Sequence, residues 1–161
     1  MALLAYSSFV RSELIQAIVF IVSMVLIWYA SHPLSHYISA KILGVRTLYF
    51  YIGTTEMRSL DYPISKILDK YFITIGTKLE TQKLKSLSRG RRSFVFGAGT
   101  IVSTWVAALT LGCAVVLGFS LAALLLGSLF FFGTLATELL FSTKAGDLAK
   151  MNRELRKNSI S

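Results

Sequence analysis

Residues 29–54 read Tyr-Ala-Ser-His-Pro-Leu-Ser-His-Tyr-Ile-Ser-Ala-Lys-Ile-Leu-Gly-Val-Arg-Thr-Leu-Tyr-Phe-Tyr-Ile-Gly-Thr, and they decide how the rest of the chain is interpreted. The stretch contains the only two histidines of the protein, His32 and His36, and it follows an apolar segment long enough to cross a bilayer. In a helix, a spacing of four residues puts both imidazoles on one face, one turn apart, where they can share a metal ion. The stretch therefore predicts a metal site inside a membrane helix.

The composition predicts an integral membrane protein with a single membrane domain, residues 1–161. Hydrophobic residues make up 54% of the chain and charged residues only 16%, whereas charged residues are about 25% of soluble domains. The net charge of +9 is explained by loop charges that set topology and attract the anionic headgroups of the lipid bilayer. No nucleic-acid recognition module is visible, so nucleic acid is not an expected partner.

Three apolar segments are each long enough to span the hydrocarbon core, and they cover residues 14–38, 94–117 and 120–141. Gly44 predicts the end of the first helix. Gly118 lies in the very short connection between the second and third spans, which predicts a tight helical hairpin. The many small residues of these two spans predict close helix packing. The fold class is thus an all-α membrane protein with three transmembrane helices and a small interfacial β element.

The polar segments predict the smaller elements. Residues 45–52 are rich in β-branched and aromatic side chains, so they predict a short strand, half of a hairpin, at the membrane interface. Short amphipathic helices are expected over residues 64–71 and 78–87. The tail is polar and basic, and it predicts a short helix that begins at Asp147.

The distribution of Lys and Arg predicts the orientation of the chain. One basic residue, Arg11, precedes the first span, whereas eleven lie between residues 41 and 92 and five in the tail, residues 143–161. By the positive-inside rule the N-terminus is outside, and the region 44–92 and the tail are cytoplasmic. The dense basic cluster at residues 89–92 is then explained as an anchor on anionic lipid.

With this topology, four polar side chains converge on the cytoplasmic face. His32 and His36 lie near the cytoplasmic end of the first span, and the third span returns to that face with Glu138 and then Asp147. Two imidazoles and a carboxylate, with one position open to water, form a standard zinc set, so His32, His36 and Asp147 are the predicted metal ligands. The alternatives are hydrogen bonding between helices for the histidines and Glu138, and an N-cap of the tail helix for Asp147.

The sequence around the histidines resembles a known motif. His32-Pro-Leu-Ser-His36, followed by Leu-Gly-Val and a strand that leads to a glycine, resembles the first motif of the site-2 protease family of intramembrane zinc metalloproteases. Residues 98–103 are similar to the middle-helix motif of that family, with Thr100 and Ser103 in place of Pro and Asn. Residues 138–147 stand where the family has Asn-Pro-Leu-Asp-Gly, and here only the aspartate matches, in the reversed order Gly-Asp. The resemblance implies a site-2-protease-like core with zinc as cofactor.

Pro33 is the most consequential departure from the family pattern. In His-Glu-x-x-His, the glutamate is the general base that takes a proton from the metal-bound water. Proline has no titratable group, and it also removes a backbone donor from the helix. Glu138 would have to substitute as base from another helix. Ordinary peptide hydrolysis is therefore not expected.

Three functions follow from these observations. The leading hypothesis is a protease-like protein without ordinary catalysis that binds a transmembrane or extended segment of a partner, the latter by β-augmentation at the interfacial strand. It would act as an adaptor, a regulator or a subunit of a larger membrane complex. The second hypothesis is an active intramembrane zinc metallopeptidase that uses Glu138 as base. The third is a purely structural subunit whose histidines tie helices together.

Overall fold

The computed structural model describes residues 12–54 and 73–156. This part of the chain is mostly helical, with one small sheet. The elements in chain order are α1 (Glu13–Ile42), β1 (Thr47–Thr54), β2 (Ile73–Leu79), α2 (Thr81–Ser86), α3 (Arg89–Val116), α4 (Leu121–Thr137), a π-helical turn (Glu138–Ser142), the single turn α5 (Thr143–Ala145) and the tail helix α6 (Asp147–Arg156).

Within residues 12–54 and 73–156, three helical segments are long and apolar enough to cross a membrane, namely Glu13–Ile42, Arg89–Val116 and Leu121–Leu140. The three predicted spans are thereby confirmed as helices, and the fold is consistent with an integral membrane protein. The first helix continues to Ile42 rather than ending at residue 38. The second begins at Arg89 rather than at residue 94, so the basic cluster forms its first turns instead of preceding it.

Glycines end two of the long helices. Gly44 follows α1 with a φ of +71°, and the N–H of Val45 donates to the carbonyl of Ala40 at 2.9 Å. Gly118 follows α3 with a φ of +67° and ends that helix in the same way. This Schellman arrangement satisfies carbonyls that the helix end leaves open, and its left-handed residue is one that glycine adopts without steric cost. Gly118 thus turns the chain directly into α4, which confirms the predicted tight hairpin.

The N-terminal half of α1 packs in an apolar core with α3 and α4. Phe20 is fully buried there, and its ring packs edge-to-face on Phe119 with 5.1 Å between the ring centroids. Gly127 of α4 faces the Phe20 ring so closely that a Cβ would overlap it. At the same end, the Gln16 side-chain carbonyl accepts a hydrogen bond from the Ser120 N–H at 2.8 Å, which satisfies a donor at the start of α4. The three helices are therefore held together away from the histidines.

The strands form an antiparallel pair beside the C-terminal half of α1. The strand predicted over 45–52 is confirmed, with its bounds at Thr47–Thr54. The hydroxyl of Thr77 in β2 donates to the carbonyl of Pro33 at 3.1 Å. This hydrogen bond ties the sheet to the helix that carries both histidines.

The helix predicted over 78–87 is wrong in its first part. Lys78 and Leu79 belong to β2, and the helix α2 covers only Thr81–Ser86. The physical reason is that the β-branched run before Lys78 pairs with β1, and this long-range pairing decides the conformation of the two residues that follow. The helix predicted over 64–71 lies outside the described residues.

Candidate metal centre

The two histidines of α1 point toward the same carboxylate oxygen. Their ring centroids are 5.1 Å apart, as expected for side chains one helical turn apart. The Nε2 atoms of His32 and His36 lie 3.0 and 2.9 Å from Oδ2 of Asp147. All three residues that the sequence predicts as metal ligands therefore meet at one point, and one ligand atom from each lies within 4.8 Å of the others.

The other ring nitrogen of each histidine is held by a hydrogen-bond acceptor on α3. Nδ1 of His36 lies 2.8 Å from the carbonyl oxygen of Val95, which can only accept, so Nδ1 carries the proton. Nδ1 of His32 lies 3.4 Å from the Ser103 hydroxyl. That hydroxyl also lies 3.2 Å from the carbonyl oxygen of Thr100, and when it donates its hydrogen there it accepts from Nδ1 of His32. In neutral imidazoles this arrangement leaves the Nε2 lone pairs free to bind a metal ion.

This hydrogen-bond pattern brings three acceptors together. Two Nε2 lone pairs and one carboxylate oxygen repel one another unless a cation lies between them, either a proton on the imidazole or a metal ion. Two imidazole nitrogens and one carboxylate oxygen are a preferred ligand set for zinc. Metal-binding histidines usually have a hydrogen-bond acceptor that holds the ring nitrogen not bound to the metal. The donor set and its supports therefore fit zinc.

The site is only partly closed to its surroundings. The exposed side-chain fractions are 26% for His32, 13% for His36 and 19% for Asp147. Burial acts to raise the pKa of Asp147, but hydrogen bonds from the two imidazoles and the electrostatic attraction of their protonated forms outweigh burial. The pKa of this carboxyl therefore lies well below its ordinary value, and Asp147 is ionised at neutral pH, as a metal ligand must be.

Gly99 makes room for the two imidazoles. A Cβ at this position of α3 would overlap Nε2 of His36 and would lie only 2.9 Å from Nε2 of His32. Sequence reasoning assigned the small residues of this span to helix packing and did not single out Gly99. The available signal was its position four residues before Ser103, which places both residues on the face of α3 that meets the histidines.

Asp147 is the first residue of α6 and does not cap it. The Ser142 hydroxyl accepts a hydrogen bond from the Leu148 N–H at 3.3 Å and so supplies a capping interaction at this helix start. The second oxygen of Asp147, Oδ1, lies 3.8 Å from Nζ of Lys150. The N-cap alternative for Asp147 is therefore wrong, because its carboxylate faces the histidines.

Glu138 lies beside this group without belonging to it. It begins the π-helical turn at the end of the third span, and its Oε2 accepts a hydrogen bond from the Thr100 hydroxyl at 3.3 Å. Its carboxylate is close enough to His32 and Asp147 to interact with both electrostatically. Pro33, at the position of the family's general base, is buried and contributes only a backbone carbonyl to the interaction with Thr77.

Comparisons with protein-family models, with curated proteins and with solved structures found no match for this chain. The relationship to the site-2 proteases therefore stays a prediction that rests on the residues around the histidines.

We predict that Gly99→Ala weakens metal binding by tenfold or more, roughly the range seen when the surroundings of metal ligands are altered. The new methyl group would push the Nε2 atoms away from Asp147. The measurement is the zinc dissociation constant of the purified protein, from competition with a chromophoric chelator. Gly112→Ala is the matched control on the same helix, since a Cβ there meets nothing within 4 Å. Equal zinc affinity of both variants would contradict the role of Gly99.

Proposed function

We propose that the protein is a site-2-protease-like integral membrane protein that binds zinc at His32, His36 and Asp147. In this proposal it acts as a binding or regulatory subunit for another membrane protein and lacks ordinary peptidase activity. The observation that carries the proposal is the convergence of one ligand atom from each of these three residues. Nδ1 of each histidine contacts an oxygen atom on α3. Pro33 stands where the motif that the sequence resembles has its general base.

The chemistry of the residues supports a metal site that does not catalyse hydrolysis. Zinc would supply a Lewis acid there, and in the hydrolytic family a neighbouring glutamate takes the proton from the bound water. Pro33 cannot take up a proton. The three ligands, and the oxygen atoms on α3 that contact the histidine Nδ1 atoms, suit a site that stabilises the fold or recognises a partner's polar group.

The β1 strand supports the binding role. Within residues 12–54 and 73–156, β1 pairs with β2 along one edge. Its consecutive large side chains are all exposed, namely Leu48, Tyr49, Phe50, Tyr51 and Ile52. An extended segment can add to such an edge through main-chain hydrogen bonds, with the side chains giving specificity. The excess of basic residues in the region 44–92 predicts that this strand is cytoplasmic.

We predict about one zinc ion per chain, as expected for a site with a single set of three protein ligands. The measurement is elemental mass spectrometry on the protein purified in mild detergent. The double variant His32→Ala/His36→Ala should lose the metal, while Gly112→Ala, which changes the same bundle away from the site, should retain it. Absence of zinc from the unmodified protein would contradict the proposal and favour histidines that only tie helices together by hydrogen bonds.

An active zinc metallopeptidase is the second candidate, and the position of Glu138 favours it. The Thr100 hydroxyl holds this carboxylate beside the ligand group, where it could accept a proton in place of the missing base. For this candidate, Glu138→Gln should lower kcat by about 10²–10⁴-fold, the usual contribution of a general base. The zinc content should stay unchanged, because Glu138 is not one of the three ligands.

The assay for this second candidate is cleavage of a helical membrane substrate by protein reconstituted in detergent or liposomes. Our leading proposal expects no cleavage above that of the His36→Ala variant. Cleavage that is lost in His36→Ala would contradict the leading proposal. If Glu138→Gln then retained full activity, Glu138 would not be the base.

A further inference from the structure

The third proposed ligand, Asp147, lies on a much shorter helix than the two histidines. His32 and His36 are fixed within the long helix α1, whereas Asp147 begins the short tail helix α6. Gly146 joins α6 to the preceding turn with φ and ψ of −101° and −154°, and its missing side chain is needed because a Cβ would lie 2.8 Å from the Cα of Ser142. The place of Asp147 therefore depends on what holds α6 against the bundle.

One face of α6 holds this helix against the bundle. Asp147, Met151 and Glu154 follow the spacing i, i+4, i+7, which puts them on one side of a helix. Glu154 lies two turns from Asp147, about 10 Å along the axis. The same three residues make the contacts between α6 and the rest of the protein that are described next.

Met151 packs where α3 has no side chain. A Cβ at Gly97 would lie 2.6 Å from the sulfur of Met151, so a side chain at this position would displace the thioether. One turn earlier on α3, the hydroxyl of Ser93 donates to the backbone carbonyl of Met151 at 3.3 Å. These contacts place the middle of α6 directly on α3.

Glu154 forms the outer contact with Arg92. Both Nε and Nη2 of Arg92 lie 2.8 Å from Oε2 of Glu154. Nη1 of the same guanidinium donates to the carbonyls of Lys85 and Leu87, at 2.9 and 2.6 Å. These two hydrogen bonds hold the guanidinium independently of α6. The side chains of the pair are only 18% and 13% exposed. Arg92 is thus an internal clamp, whereas the sequence suggested a lipid anchor for the whole basic cluster.

We propose that docking of α6 on α3 through the Arg92–Glu154 pair and zinc binding at Asp147 are thermodynamically coupled. Arg92 and Glu154 are positioning residues that deliver the third ligand to the histidines, and the inference rests on the proposed zinc site. Coupling of this kind is reciprocal. Zinc therefore stabilises the docked tail, and a change that loosens the tail weakens the metal site.

The first measurement is the zinc dissociation constant of the full chain in detergent, from competition with a chromophoric chelator. Glu154→Gln removes the charge of the clamp, and Gly97→Ala pushes on Met151, so each loosens α6 at a different point and leaves all three ligands in place. Glu154→Gln should bind zinc about tenfold more weakly, within the range of measured allosteric couplings, and Gly97→Ala should weaken binding less, because the flexible thioether of Met151 can shift. Arg153→Gln is the matched control, because it removes a charge from an exposed position of the same helix. Glu154→Asp, which keeps the charge, should recover part of the affinity.

The second measurement is amide hydrogen exchange of residues 147–156 with and without zinc. Zinc should slow exchange in the unmodified protein, and this protection should disappear in Asp147→Asn, where the link between metal and tail is cut. If Asp147 had only a structural role, zinc would not change the rate of amide hydrogen exchange in residues 147–156.

The outcomes separate the two proposals. If the unmodified protein binds no zinc, the proposed function fails and this inference fails with it. If the unmodified protein binds zinc, and Glu154→Gln and Gly97→Ala bind it as tightly as the Arg153→Gln control, the zinc site stands and the coupling is overturned. Zinc-independent exchange of the tail would overturn it as well.

Discussion

The structure depends on the mutual repulsion of three hydrogen-bond acceptors. Two imidazole Nε2 atoms and one carboxylate oxygen face each other at about hydrogen-bonding distance, and Nδ1 of His36 already donates to the carbonyl of Val95. Such a group needs either a proton on an imidazole Nε2 or a metal ion between its members. In helices long and apolar enough to cross a bilayer, the constraint is stronger, because charged groups inside a membrane are costly and occur where they have a partner. A single cation would satisfy all three groups at once.

The rest of the bundle is arranged around this constraint. The apolar core at Phe20 holds the three spans together at one end, so the other end can carry polar groups. Gly99 leaves the space that the imidazoles occupy, and Gly97 lets the tail helix approach α3 closely enough to bring in Asp147. The glycines of α3 thus serve the site as well as the packing of the spans. At the proposed zinc site, Pro33 leaves the three candidate ligands in place but supplies no group that could act as a general base.

Much of this arrangement could be predicted from the sequence, because the decisive signals are local. The spacing of His32 and His36 defines a helical face, the apolar runs define the spans, and Gly44 ends the first helix. Asp147 could be added because the topology returns the third span to the same side. Three features depend on pairing between distant segments, which carries no local signal: the strand β2, the clamp between Arg92 and Glu154, and the space at Gly99.

The central claim is a zinc ion bound by two imidazoles and a carboxylate, and X-ray absorption at the zinc edge of the purified protein tests it most directly. The account predicts a first shell of nitrogen and oxygen at about 2.0–2.2 Å. It also predicts the outer-shell scattering of imidazole rings, lost when His32 and His36 are replaced together. A sulfur shell from Cys113, the single cysteine of the sequence, would contradict this claim. A zinc spectrum without imidazole scattering would contradict it as well.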